Sequence, residues 1–152
     1  MPYTVFISHA VGPEDYPLVV TISNLLWQNG MQAFVAEWER HPGTPVSEKV
    51  AQQIDASDAV LAIITPNYTR ASFANQEIGY AKKAYADKPG KLIIPLVEIG
   101  TKVSGFLYGL DPLEFSRDNL VETARNLVKF LKKQKVDKEN NEALANLILI
   151  GL

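Results

Sequence analysis

The stretch DAVLAIITPNYTRASFANQEIGYAKKAY, residues 58–85, joins two segments of opposite pattern. DAVLAIIT (58–65) is apolar without alternation, which suits a central strand covered on both faces. Pro66 stops it. RASFANQEIGYAKKAY (70–85), at about 100° per residue, forms a two-sided helix. Phe73, Ala74, Ile78, Tyr80, Ala81, Ala84 and Tyr85 share one arc, while Asn75, Gln76, Lys82 and Lys83 face away. Glu77 falls near the middle of the apolar arc. A carboxylate there costs energy unless it is paired, hydrogen-bonded or wet.

Working outward, the same alternation of strand and helix fills the chain. TVFIS (4–8) is a β-rich run, followed by EDYPLVVTISNLLWQNG with Pro17 at a helix start and Gly30 past its end. QAFVAEW (32–38) reads as the second strand. ERHPGTP (39–45), with two prolines and a glycine, is a loop. Ser47 opens a helix, SEKVAQQIDAS, before the central strand. KLIIPLVEI (91–99) is a further apolar strand whose Pro95 argues for an edge position or a bulge. PLEF (112–115) is a short fifth strand. RDNLVETARNLVKFLKK is an amphipathic helix with Leu120, Ala124, Leu127, Val128 and Leu131 inward. The lysines of KKQK (132–135) close it, favouring the helix dipole.

Strands alternating with single helices imply a mostly parallel sheet between helix layers. The 152 residues suit one main domain, expected over residues 1–135, with a C-terminal helical tail over 136–152. LANLILIGL (144–152) is too short for a membrane span, which needs roughly twenty residues. It is expected to be a terminal helix packed on the domain or on a second copy. A membrane partner enters only if the chain continues past Leu152 into an anchor.

Composition removes several function classes. The net charge of −2 offers no basic surface for nucleic acid. Without cysteine there is no disulfide, thiolate zinc site or thiol nucleophile, which fits a reducing interior and an expected cytoplasmic location. His9 and His41 lack a third ligand candidate, so no metal is expected. No GxGxxG, GxxxxGK[ST] or GxSxG pattern occurs.

In layered folds of this kind ligands collect at the carboxyl ends of the strands. Those ends carry Ser8 and His9, then Trp38, Glu39, Arg40 and His41, then Tyr68, Arg70, Phe73 and Glu77. The set suits a nucleotide better than an apolar ligand. Trp38 or Phe73 offers a stacking face, Arg40 or Arg70 a fork for phosphate oxygens. A carboxylate by an apolar wall can hold ribose hydroxyls or a positive sugar-like transition state. The plainer alternatives are that Glu77 reaches water past small alanines and that Trp38 is packing.

The ordered segments resemble a Toll/interleukin-receptor (TIR) domain over about residues 3–130. The matching pieces are VFISHA, the run from Ala33 to Ala81, and LIIPLVEIG. Within them lie Ser57-Asp58 before the third strand, Thr65-Pro66-Asn67-Tyr68 after it, and Ser72-Phe73-Ala74-Asn75-Gln76-Glu77 on the helix. Phe73 and Ala74 replace a commoner tryptophan and cysteine but leave the glutamate in register. The Glu-Trp-Glu run is more like prokaryotic TIR proteins than animal receptor tails.

The resemblance implies a three-layer, flavodoxin-like, doubly wound sheet of about five strands. It implies cleavage of NAD⁺ at the nicotinamide–ribose bond, with NAD⁺ as substrate, no separate cofactor, and Glu77 as the catalytic residue. Phe6, Ser8 and His9 are then expected beside the nicotinamide ribose, with Trp38 as stacking wall and Arg40 near phosphate. Tyr68 and Phe73 complete the expected substrate-binding set. Homotypic TIR association through the loop at 39–46 (the BB loop) is expected to switch activity on, in prokaryotic immune signalling or as an effector. Two alternatives stand beside this: a non-catalytic TIR adaptor, and a nucleoside-processing enzyme of related fold such as a deoxyribosyltransferase.

Overall fold

The computed structural model describes residues 2–36, 47–66, 71–103, 105 and 109–151, with backbone alone at 71–73. Five strands form one sheet: β1 (Thr4–Ala10), β2 (Gln32–Val35), β3 (Ala59–Ile64), β4 (Leu92–Glu98) and β5 (Leu113–Phe115). Their order is β2-β1-β3-β4-β5. Every neighbouring pair is parallel. Such pairs need crossovers, and helices α1 (Tyr16–Gln28), α2 (Glu48–Ala56), α3 (Ala71–Tyr85) and α4 (Leu120–Leu149) supply the helical layers.

The two faces of the sheet build two cores. Val5 and Ile7 of β1 and Leu61 and Ile63 of β3 pack with α1 and α4 through Val19, Ile22, Leu26, Leu127 and Leu131. Phe6 and Ala10 of β1 and Val60, Ala62 and Ile64 of β3 pack with α2 and α3 through Val50, Ile54, Ala74, Ile78 and Ala81. Alternation along β1 and β3 therefore decides which helix layer each residue meets.

Local signals act where the residues suggest. Ser47 stands in extended backbone and its Oγ accepts from the Val50 amide at 3.2 Å, capping α2. Gly30 turns the chain out of α1 with φ of 78°, where a side chain would strain. Pro95 pairs with Ala62 of β3, and the β5 ladder begins only at Leu96. It thus sits on a locally open edge of β4, as expected of a residue without an amide donor. Arg117 draws the far edge together, donating to Asp15 Oδ1 at 2.9 Å and to Glu98 at 2.9 and 3.1 Å. Those contacts hold its guanidinium pKa above the usual value, hydrogen bonding to Glu98 being the main cause.

The C-terminal region departs from expectation. KKQK does not close a helix: α4 runs unbroken through it to Leu149. The reason is local. No glycine or proline interrupts residues 117–150, and Lys135–Glu139 at 3.0 Å and Lys138–Glu142 at 3.8 Å tie successive turns. The division expected at 135/136 lies inside this helix. Nor does the apolar end pack on the domain, since Leu144, Leu147, Ile148, Leu149 and Ile150 are all exposed. The last firm tether is Lys138, whose Nζ meets Asp58 Oδ1 at 3.0 Å. Asp58 Oδ2 accepts from the Thr4 amide at 2.8 Å, so one carboxylate joins β1, β3 and α4. No described helix is long and apolar enough to cross a membrane.

Replacing Asp58 with alanine should lower unfolding stability by about 1–3 kcal/mol, because it orphans a part-buried amide as well as Lys138. Lys138→Ala should cost less, about 1 kcal/mol, because it leaves the Thr4 amide bonded to Asp58. Denaturant titration of both variants checks the ranking; equal losses would assign the Asp58 effect to the ion pair alone.

Candidate functional site

A sheet of order 2-1-3-4-5 reverses its winding between β1 and β3, and the crevice at the carboxyl ends of those two strands is the usual ligand site. Ser8, His9 and Ala10 of β1 lie there opposite Ala62, Ile63 and Ile64 of β3. Thr65 follows, its amide donating to Ala10 O at 3.2 Å.

Glu77 approaches from α3. Ala74, Ile78, Ala81 and Tyr85 on the same arc are buried, and Glu77 is itself only 1% exposed. The helix thus drives the carboxylate into the sheet-facing layer, and it does not reach bulk water past the alanines. Ser8, on the same face of β1 as Phe6 and Ala10, meets it: Ser8 Oγ donates to Glu77 Oε1 at 2.6 Å. That is a short O–H···O hydrogen bond. It partly offsets the cost of burial and fixes one carboxylate oxygen.

His9 is one residue further along and points to the opposite face. Its ring lies 5.7 Å from that of Tyr16 at the start of α1, tilted by 59°. Its Nε2 is 3.3 Å from Ala36 O, a contact in which the ring nitrogen donates. Ser8 and His9 were expected side by side at one ribose; strand alternation instead sends Ser8 to Glu77 and His9 to the exit of β2. Phe6 is fully buried among Ile54, Val60, Ala62 and Ile78, in the layer beneath Ser8. The structure thus brings Ser8 and Glu77 together, with Phe6 packed below and His9 across the sheet. Trp38, Arg40 and Tyr68, and the loop at 39–46, lie outside the described residues, as does the side chain of Phe73.

Residue-by-residue reading did not single out Thr65, which is fully buried at the carboxyl end of β3. The available signals were its place as the last residue of the apolar run before Pro66 and at the head of the Thr65-Pro66-Asn67-Tyr68 stretch on which the TIR resemblance rests. Ala36 was also missed, because its carbonyl acts through backbone and carries no side-chain signature.

Comparison with known proteins places this geometry. The family model described as "TIR domain" matches residues 5–131. The chain belongs to the TIR domain family. Among solved structures, the RPS4 and RRS1 TIR domain heterodimer matches with a TM-score of 0.63 at 9% identity, covering 90% of this chain and 99% of that one. A prokaryotic SEFIR domain matches at 0.58 and 20% identity, over 84% and 90%. The TIR domain of the Toll-related receptor TRR-2 from Hydra magnipapillata matches at 0.54 and 22%, over 84% and 97%. At such identities these likenesses speak to the fold alone. No curated protein matches the chain.

Ser8→Ala should lower the stability of this TIR domain by about 1–3 kcal/mol, since it removes a donor from a buried carboxylate. Thermal or urea unfolding measures it. Wild-type stability in that variant would mean that Ser8 does not support Glu77.

Proposed function

We propose that this TIR domain cleaves NAD⁺ at the nicotinamide–ribose bond, as a hydrolase or ADP-ribosyl cyclase, with Glu77 as the catalytic residue. The observation that carries this reading is the buried Glu77 carboxylate, hydrogen-bonded by Ser8 at the β1/β3 crevice. In a dry pocket the attraction between a carboxylate and a developing cation is much stronger than in water. As the C–N bond breaks, its electron pair leaves with nicotinamide and the ribose becomes an oxocarbenium. Glu77 stabilises that charge, with Ser8 holding one of its carboxylate oxygens. Water captures the cation to give ADP-ribose; the adenine ring of the same molecule gives a cyclic product, and a free base gives an exchanged dinucleotide.

The remaining roles follow the expected set: Trp38 stacks, Arg40 meets phosphate, and Tyr68 and Phe73 line the ring site. Phe6 supports Ser8 from below, and His9 steadies the exit of β2 rather than touching the ribose. We assign the loop at 39–46 to contact with a second copy, so that association completes the pocket and activity is gated by assembly. The setting that suits such a device is prokaryotic immune signalling, or an effector acting on a host, inside the cytoplasm. The second reading is a non-catalytic TIR adaptor. The exposed apolar end of α4, a surface suited to association, is the observation on its side.

Concentrated protein incubated with NAD⁺ should release nicotinamide, and Glu77→Ala and Glu77→Gln should each lose at least about 100-fold in rate. Equal silence of all three proteins, even when assembled, leaves the adaptor. Wild-type specific activity should rise with protein concentration or on a crowding surface; a flat value across about two decades rejects gating.

A further inference from the structure

Seven polar or charged side chains are buried in the described structure: Thr4, Ser8, His9, Ser57, Thr65, Glu77 and Thr123. Six of them have partners. Ser8 donates to Glu77, His9 meets Ala36 O, and Ser57 Oγ donates to Gln53 O at 2.7 Å. Thr4 and Thr123 make longer contacts, to Pro2 O at 3.5 Å and Asn119 Oδ1 at 3.4 Å. Thr65 Oγ1 alone among these has none. Three further buried oxygens lack partners, those of Tyr3, Asp15 and Thr101. Tyr3 stands at the amino end of β1, Thr101 follows β4, and Asp15 is held through its other oxygen by Arg117. Only Thr65 combines an unused buried hydroxyl with a place in the β1/β3 crevice.

A hydroxyl removed from water without a partner destabilises the empty protein, and valine would fill the same volume without that cost. A threonine hydroxyl also turns readily to its own neighbouring backbone, and this one does not. Its donor and acceptor capacity is therefore left for a group that arrives from outside. Sites that reserve a polar group in this way discriminate strongly for a ligand that can satisfy it.

We infer that Thr65 is a substrate-positioning residue of this crevice, its hydroxyl donating to a ribose or phosphate oxygen of the bound dinucleotide. This rests on reading the crevice as an NAD⁺ site. Thr65 is shielded from bulk water in the empty protein, as Ser8 and Glu77 are. Strand alternation after Ile64 turns its side chain to the His9 side of the same strand ends, so it would meet a different part of an extended dinucleotide than Glu77 does. The contact orients the sugar-phosphate and does not take part in bond cleavage.

Two measurements on Thr65→Val test the inference. Without ligand, the variant should melt about 2–4 °C above wild type, because the unmet hydroxyl is gone. In nicotinamide release its KM for NAD⁺ should rise about tenfold, with kcat changed less than about twofold. Thr65→Ser should restore KM. A lower melting temperature for Thr65→Val would mean that the hydroxyl already has a structural partner, and a wild-type KM would remove the substrate contact; either overturns the inference. If wild type cleaves NAD⁺ and Thr65→Val matches it, only this inference falls. If wild type neither cleaves NAD⁺ nor binds it in calorimetry, the NAD⁺ reading and this inference fall together.

Discussion

A strand buried on both faces leaves no position at which a polar side chain can simply turn to water. β1 is such a strand over all seven of its residues, and its carboxyl end carries a serine and a histidine in succession. Each must find a partner in the layer it faces. Ser8 finds a carboxylate on α3, and His9 finds a backbone carbonyl leaving β2. The crevice between β1 and β3 is thus set by two polar contacts that reach in opposite directions from adjacent residues. One of them fixes the helix that carries the acid, and the other fixes the point where the chain leaves the sheet.

The acid depends on the same layer for its electrostatics. Small residues, Ala74 and Ala81, flank Glu77 on the buried arc of α3 and let the helix lie close to β1. Close approach makes a 2.6 Å bond from a short serine side chain geometrically available. A larger residue at Ser8 would push α3 outward, and a smaller one would leave the carboxylate short of a donor. Burial of the acid and its hydrogen bond are therefore one feature, produced by matching side-chain sizes across a strand and a helix.

Much of this is legible in the amino-acid order. Unalternating apolar runs identify β3 and β4, the Ser47 cap and Gly30 mark helix ends, and helical periodicity isolates Glu77 as the odd residue on an apolar arc. Partner choice is not legible, because Ser8 and Glu77 are 69 residues apart and only the sheet order brings them together. The opposed directions of Ser8 and His9 follow from strand alternation, which the grouping of both residues at one ribose overlooked. The length of α4 was misread for another reason. A lysine-rich turn looks like a helix end, and only the acidic residues that follow it, at the spacing of one turn, show that the backbone continues.

That continuity makes the last part of α4 a stiff spoke. From Lys138, where Asp58 grips it, to Ile150 the axis advances about 18 Å at 1.5 Å per residue. A spoke of this kind has a phase as well as a length. One residue inserted after Lys138 would swing the greasy tip through about 100° around the axis while moving it outward hardly at all. The bearing of that tip relative to the sheet is thus encoded by residue count.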